Sequence, residues 1–576
     1  MPDSRPDHLT WRHRALIVAV ALLFAALAAR LVQIQIVDHD RYVEEAALTR
    51  FGVVAVAAPR GTIIDATGYP LAISIDTWDI YLDSFLWRDR ERARAAAERL
   101  APELALDAGQ LFAAGTAQRQ GDVLLRRGLP YGQGLAIQRL GLWGVRTLPA
   151  SQRVYPDGEL GAQLIGYVGL DGRGLWGIEA DYDAALLGRP GRISSERDPL
   201  GRPIAFADRT ERAAAPGGEM RLTVDRFMQA IIERRLAEAL KEYRAPSGSI
   251  LVMEPRTGAV LAMASLPTIS PTGHLDDPDL PALARNRVVT DLYEPGSVLK
   301  TLTTAIALEL GKVTPTSTYV DKGYVDVGPS RIRNWDFQAY GQVTVTEFLQ
   351  RSLNTGAVWL SGLIGADDFY PRLRAFGIGE PTHIGLSGEA EGMLRLPRDA
   401  GWYPVDLATN AYGQGLAATP LQVLTAVNVF ANGGKLMRPY LVGEIVTPQE
   451  RRVFSPVEVR QVVSPATAAT MAKLMEQVVE GVEYHGARVP GYHVAGKTGT
   501  TIVSISTGYQ FDTTIASFAG FLPYEHPRVS ILVKIDQPDG GLRLGGQVAA
   551  PVFARVAADI MEYLDGPAAG RTAAAR

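Results

Sequence analysis

The longest uninterrupted apolar run in the chain lies near its start. Residues Ala15 to Ala29 are all apolar, and the stripe continues past Arg30 through Leu31, Val32, Ile34 and Ile36. A helix over 15–36 spans about 33 Å at 1.5 Å per residue, enough to cross a bilayer core. Arg12 and Arg14 precede it, which predicts a cytoplasmic tail over 1–14. Ala26-Leu27-Ala28 resembles a small-residue cleavage site, so a removed signal peptide is the alternative. The stripe outlasts that site, and a retained anchor over 15–36 is the reading adopted.

Past the anchor the pattern shortens. Phe51–Val54 reads as a strand, Pro59-Arg60-Gly61 as a turn, Thr62–Asp65 as a strand and Ala66–Pro70 as a turn. Residues 88–120, rich in Ala, Arg, Glu and Leu, read as helical. Glycine recurs from Arg153 to Gly191 at spacings that match no phosphate loop, so tight turns and bulges in an extended scaffold are expected. Composition shifts at Ala213–Gly218, which predicts one domain over 37–218 and a second over 219–565.

The second region carries stronger periodicity. Asp225 to Arg244 reads as an amphipathic helix. Gly248–Met253 and Ala259–Ala264 read as a hairpin around Glu254–Gly258. Both strands are apolar throughout, so helices should cover both faces of their sheet. Apolar residues at 298, 302, 305 and 306 predict a buried helix that stops at Gly311. Residues 515–521 and 529–535 read as neighbouring strands, 551–564 as a final helix, and 566–576 as a disordered tail.

Composition narrows the classes. The 576 residues predict more than one domain. A net charge of −4 gives no basis for a nucleic-acid partner or a polybasic membrane surface. Absence of cysteine excludes disulfides and thiolate metal sites, and the eight histidines form no HExxH pattern, so no metal and no cofactor are expected.

Three short motifs carry candidate chemistry. Ser297 and Lys300 lie three apart at a helix start, hence on one face. A serine is a weak nucleophile until a base takes its proton, and a lysine among apolar neighbours loses its own proton more readily. A capping serine beside a snorkelling lysine is the plain alternative. Ser352 and Asn354, two apart on a turn, can face one cavity, the hydroxyl relaying a proton and the amide holding a carbonyl. In Lys497-Thr498-Gly499-Thr500 a strand would face Thr498 and Thr500 one way and Lys497 the other. Gly499 would let a ligand approach the backbone. In this order, each in a suitable element, the three point to serine acyl-transfer.

With these motifs the chain resembles the penicillin-binding proteins and serine β-lactamases, and is most similar to class B penicillin-binding proteins, the monofunctional peptidoglycan D,D-transpeptidases. The resemblance extends to Arg60–Asp65, Arg153-Val154-Tyr155-Pro156, Gly177-Ile178-Glu179, Tyr293–Ser297 and Tyr412-Gly413-Gln414-Gly415. Ala66 and Val298 depart from the usual pattern. Tyr-Glu-Pro-Gly-Ser looks like the division (septal) branch, with the elongation branch as the alternative. The resemblance implies an α/β (α+β) transpeptidase fold, an antiparallel sheet covered by helices, preceded by an elongated, mainly β pedestal of dimerisation type and one transmembrane helix.

It also implies roles. Ser297 would be the nucleophile on D-Ala-D-Ala stem peptides, Lys300 its base, Ser352 the proton donor to the leaving D-alanine, and Asn354 the holder of the substrate amide. Lys497 would supply positive potential, with Thr498, Gly499 and Thr500 binding substrate. The backbone N–H groups of Ser297 and Thr500 would form the oxyanion hole. Implied partners are peptidoglycan stem peptides, β-lactams as covalent inhibitors, a polytopic SEDS-type glycosyltransferase and other divisome membrane proteins. A single-pass protein in the cell membrane with an extracytoplasmic catalytic domain follows. The rival functions are a β-lactamase, a penicillin sensor and a non-catalytic divisome scaffold.

Overall fold

The computed structural model describes residues 8–43, 51–118, 121–196, 209–270, 278–483, 485–505, 508–539 and 541–566. Of the expected tails, 1–7 and 567–576 lie outside the described residues. The N-terminal apolar stripe is one helix, His8–Val32, closed by a wider π turn at Gln33–Val37. Trp11–Val37 is, among the described residues, the helix long and apolar enough to cross a membrane.

The chain forms two compact units, and they interleave in sequence. The first takes 1–58, 77–150 and 188–216; the second takes 59–76, 151–187 and 217–576. In the first unit, Phe51–Val56, Gly191–Glu196 and Arg209–Arg212 make a three-stranded antiparallel sheet. Residues 77–83 pair with Asp122–Pro130, and helices Arg90–Leu104, Ala108–Thr116 and Tyr131–Arg139 accompany these strands. The helical pattern over 88–120 thus divides in two. Ala105 adopts a left-handed conformation at φ 52°, and the Asp107 side chain caps a fresh helix by accepting the Gln110 N–H. Trp87 is fully buried at the centre of this unit's core.

Residues 59–76 belong with the second unit because Ile63–Ile64 pairs parallel with Glu219–Leu222, which in turn pairs with Val442–Val446. The glycine-rich stretch joins them through a buried ion cluster. Glu179 is completely buried and accepts from Arg60 Nε at 2.5 Å and Arg153 Nε at 2.7 Å. Arg60 also reaches Asp183 at 2.6 Å. One carboxylate between two guanidiniums tolerates burial; two guanidiniums without it do not. Glu179→Gln is expected to destabilise the fold by about 3–5 kcal/mol, read as a lowered Cm in urea unfolding. An unchanged Cm would show that the cluster is electrostatically idle.

The second unit is organised on five antiparallel strands. They are β1 (Ser247–Met253), β2 (Val260–Leu266), β3 (Ala495–Ile505), β4 (Gly508–Leu522) and β5 (Val529–Asp536), in the order β2-β1-β5-β4-β3. Alternate residues go to opposite cores. Ile250, Val252, Ile531 and Val533 pack with α1 (Arg226–Glu242) and the C-terminal helix Ala549–Asp565. Leu251, Met253 and Leu532 pack with α2 (Leu299–Glu309) and with helix Pro420–Ala431. A sheet covered on both faces needs apolar residues at every position, which is why these strands do not alternate.

Candidate active site

The Ser297 segment is fixed before its helix begins. Gly296–Val298 forms a 3₁₀ turn that runs into α2. Gly296 sits at φ 57°, a conformation that costs a side-chain-bearing residue, and its N–H donates to the Gly413 carbonyl at 3.0 Å. Tyr293 exchanges two backbone hydrogen bonds with Ala418, and Thr501 Oγ1 donates to the Glu294 carbonyl at 2.7 Å. The backbone that presents Ser297 is thus held from the 413–418 segment and from β3. Ser297 itself is half-buried.

Lys300, one turn further along, has no solvent exposure. Its Nζ donates to the Ser352 carbonyl at 2.6 Å and to Asn354 Oδ1 at 2.9 Å, and lies 3.3 Å from Ser352 Oγ. Burial, reinforced by the nearby Lys497 charge, holds the amine well below its ordinary range. A neutral amine has two N–H donors and one lone pair. Both donors are placed here by oxygen acceptors, which leaves the lone pair for an incoming proton.

The turn carrying Ser352 is built for this. The short helix Val345–Arg351 starts in a capping box of Thr344 and Glu347 and ends at Ser352 with φ 57°. Such a conformation in a non-glycine residue is uncommon, and it points the Ser352 carbonyl back at Lys300. Asn354 opens α3 (Asn354–Ile364). Its backbone N–H donates to Asn334 Oδ1 at 3.0 Å and its Nδ2 donates to the Arg333 carbonyl at 2.8 Å. The second N–H of that amide remains for a substrate.

Lys497 comes from the inward face of β3, opposite Thr498 and Thr500. Its stem carries Nζ to 2.9 Å from Ser352 Oγ and 3.3 Å from Thr498 Oγ1. Burial pulls its pKa down to about 7. Ser352 Oγ thus lies between two amines. Thr500 Oγ1 accepts the Gly545 N–H at 2.9 Å. The structure therefore brings Lys300, Ser352, Asn354 and Lys497 into one hydrogen-bonded cluster, beside the Ser297 turn.

Gly499 has a different reason from the one its sequence suggests. A Cβ there would stand 2.6 Å from the Pro295 carbonyl and 2.4 Å from Ser517 Oγ. The glycine lets β3 pack against the nucleophile segment; its bare side faces the protein and not a ligand. Sequence reasoning also passed over Thr501, Asn334 and His485. His485 sits edge-on to Phe518, and burial with the Lys497 and Arg488 charges pushes its pKa down to about 4. No spacing signal marks these residues, because each acts across a long sequence separation.

A fold of this kind, with a lysine–serine–lysine cluster beside the Ser297 turn, is that of a serine acyl-transferase. The family model described as the Penicillin binding protein transpeptidase domain matches residues 248–561, and the Penicillin-binding Protein dimerisation domain matches 55–222. The chain is 32% identical to stage V sporulation protein D of Bacillus subtilis over 97% of its own length and 87% of the relative. It is 31% identical to the peptidoglycan D,D-transpeptidase FtsI of Escherichia coli over 98% and 94%. Among solved structures, a peptidoglycan synthetase from Bifidobacterium adolescentis aligns with TM-score 0.73 and 27% identity over 90% of this chain and 97% of that one. Penicillin binding protein 2X from Streptococcus thermophilus shares the fold at TM-score 0.76 and 22% identity, over 89% and 80%. The chain belongs to the class B penicillin-binding proteins.

Proposed function

We propose that this class B transpeptidase crosslinks peptidoglycan during septal wall synthesis, through an acyl-enzyme on Ser297. The observation that carries the chemistry is the buried Lys300, whose two amine donors are occupied by Ser352 O and Asn354 Oδ1. Its lone pair takes the Ser297 proton as Oγ attacks the carbonyl between the terminal D-alanines. The developing oxyanion accepts from the N–H groups of Ser297 and Thr500, and the substrate carboxylate from Lys497, Thr498 and Thr500. Ser352 gives its proton to the departing D-alanine amine and is resupplied along the Lys497–Ser352–Lys300 contacts. An amine from a neighbouring stem then attacks the ester, forming the crosslink and returning Oγ its proton. A β-lactam acylates the same serine.

The septal assignment rests on the Tyr293–Ser297 sequence, with elongation-type synthesis as the second reading. The anchor over 15–36 would hold the chain as a single-pass protein, N-terminus inside, with the catalytic unit beyond the membrane. The first unit would serve as a pedestal and dock a SEDS-type glycosyltransferase and divisome proteins. A functional fluorescent fusion imaged in dividing cells is expected at midcell before constriction. Uniform sidewall fluorescence would overturn the septal reading and favour elongation.

A further inference from the structure

A second concavity, of about 800 Å³, flanks α3. Tyr319 and Trp359 stack in its wall, with ring centroids 5.0 Å apart and planes 15° from parallel. Both residues are half-buried and line the groove. Leu363 adds an apolar edge at 40% exposure. Lys322 and Asp326 stand on the rim with opposite charge.

The groove is wired to the catalytic cluster. The Tyr319 hydroxyl lies 3.1 Å from Thr355 Oγ1. Thr355 donates to Asp321 at 2.8 Å and lies 3.2 Å from Asn334 Oδ1, the same oxygen that accepts the Asn354 N–H. Thr355 directly follows Asn354 in the chain. The groove and the catalytic cluster therefore share the first turn of α3.

We propose that this groove binds sugar rings of the glycan strand whose stem peptide occupies the active site. The inference rests on the transpeptidase reading. A hexosamine ring offers a flat C–H face and a polar circumference. An aromatic wall with a mixed-charge rim matches both at once. Asp326 is paired with Arg331 at 2.6 and 2.9 Å, which leaves Lys322 as the one cation among the lining residues, too few for a polyanion, and an amphipathic helix would seek an apolar rim along its whole length. Reach agrees as well: a five-residue stem extends about 17 Å at most, so its sugar must dock near the reacting carbonyl. Binding energy gathered there holds the stem in place for reaction at Ser297.

The test uses the full chain in detergent with a soluble tetrasaccharide of alternating N-acetylglucosamine and N-acetylmuramic acid that carries no peptide. Saturable binding by calorimetry is expected in the wild type. Trp359→Leu is expected to weaken it at least tenfold, and Tyr319→Phe, which keeps the ring, to leave binding within about twofold. With glycan-linked stems as substrate, Trp359→Leu should raise KM about tenfold at unchanged kcat. Labelled-penicillin acylation involves no sugar and should hold its wild-type rate. The proposal is overturned by absent saccharide binding, by binding indifferent to Trp359→Leu, by displacement of the saccharide with an apolar helical peptide, or by a parallel fall in penicillin acylation. A wild type that penicillin does not acylate at all would instead sink the transpeptidase reading.

Discussion

Ser297→Ala is expected to abolish covalent penicillin labelling and to cut transpeptidation by about 10⁴-fold or more. In the proposed reaction the hydroxyl oxygen is the atom that forms the ester. Ser352 is the other serine hydroxyl here, but its Oγ is engaged by Lys497 at 2.9 Å and lies 3.3 Å from Lys300. Noncovalent affinity should survive, because Lys497, Thr498 and Thr500 remain. Intact-mass spectrometry after penicillin treatment reads the outcome directly: one added acyl mass on the wild type, none on the variant. A stable adduct on the variant would mean that a different residue is the nucleophile. In cells the variant should fail to support division, whereas a non-catalytic scaffold would support it with alanine in place.

The candidate site residues were legible because their spacing is written locally. A serine and lysine three apart on one helix face, and a lysine–threonine–glycine strand, keep their meaning at short range. The sheet was legible for a related reason: Ile250–Met253 in β1 and Val260–Ala264 in β2 run apolar without alternation, which a sheet covered on both sides explains. The scaffolding was not. Strand Pro70–Asp83 mixes Asp76, Thr77 and Asp79 into its apolar positions, so no period stands out. The association of 59–76 with 151–187 depends on Arg60 meeting Glu179 across 119 residues, and that of 59–76 with the rest of the second unit on Ile63–Ile64 pairing with Met220 and Arg221. Asn334 supports Asn354 from twenty residues away, and the left-handed Ser352 has no sequence mark at all. Gly499 shows the limit most directly. Its conformational freedom is evident from its type, but which neighbour needs the space is a tertiary fact.

The other large effect belongs to the base. Lys300→Met keeps length and volume but removes the amine, and acylation is expected to fall about 10³-fold, within the range general bases contribute. The pH profile separates this from a folding defect. In the wild type, acylation rises with pH as Lys300 loses its proton, because only the neutral amine can accept one from Ser297. That acid limb lies well below the ordinary lysine range, since burial and the Lys497 charge disfavour the ammonium. Lys497, to which the proposal gives the substrate carboxylate, deprotonates near pH 7, and a separate fall in rate is expected through that range. The variant should lose the limb that Lys300 titration sets and keep the one that Lys497 sets. Stability carries the same signature. A lysine whose folded pKa is depressed leaves the unfolded chain with more protons between that pKa and its ordinary value, so wild-type stability rises with pH across this window. The variant should show a shallower rise in urea Cm over the same range. An acid limb that persists in Lys300→Met, with acylation within tenfold of wild type, would assign the proton to some other acceptor and remove Lys300 from the role its burial and its two hydrogen bonds give it.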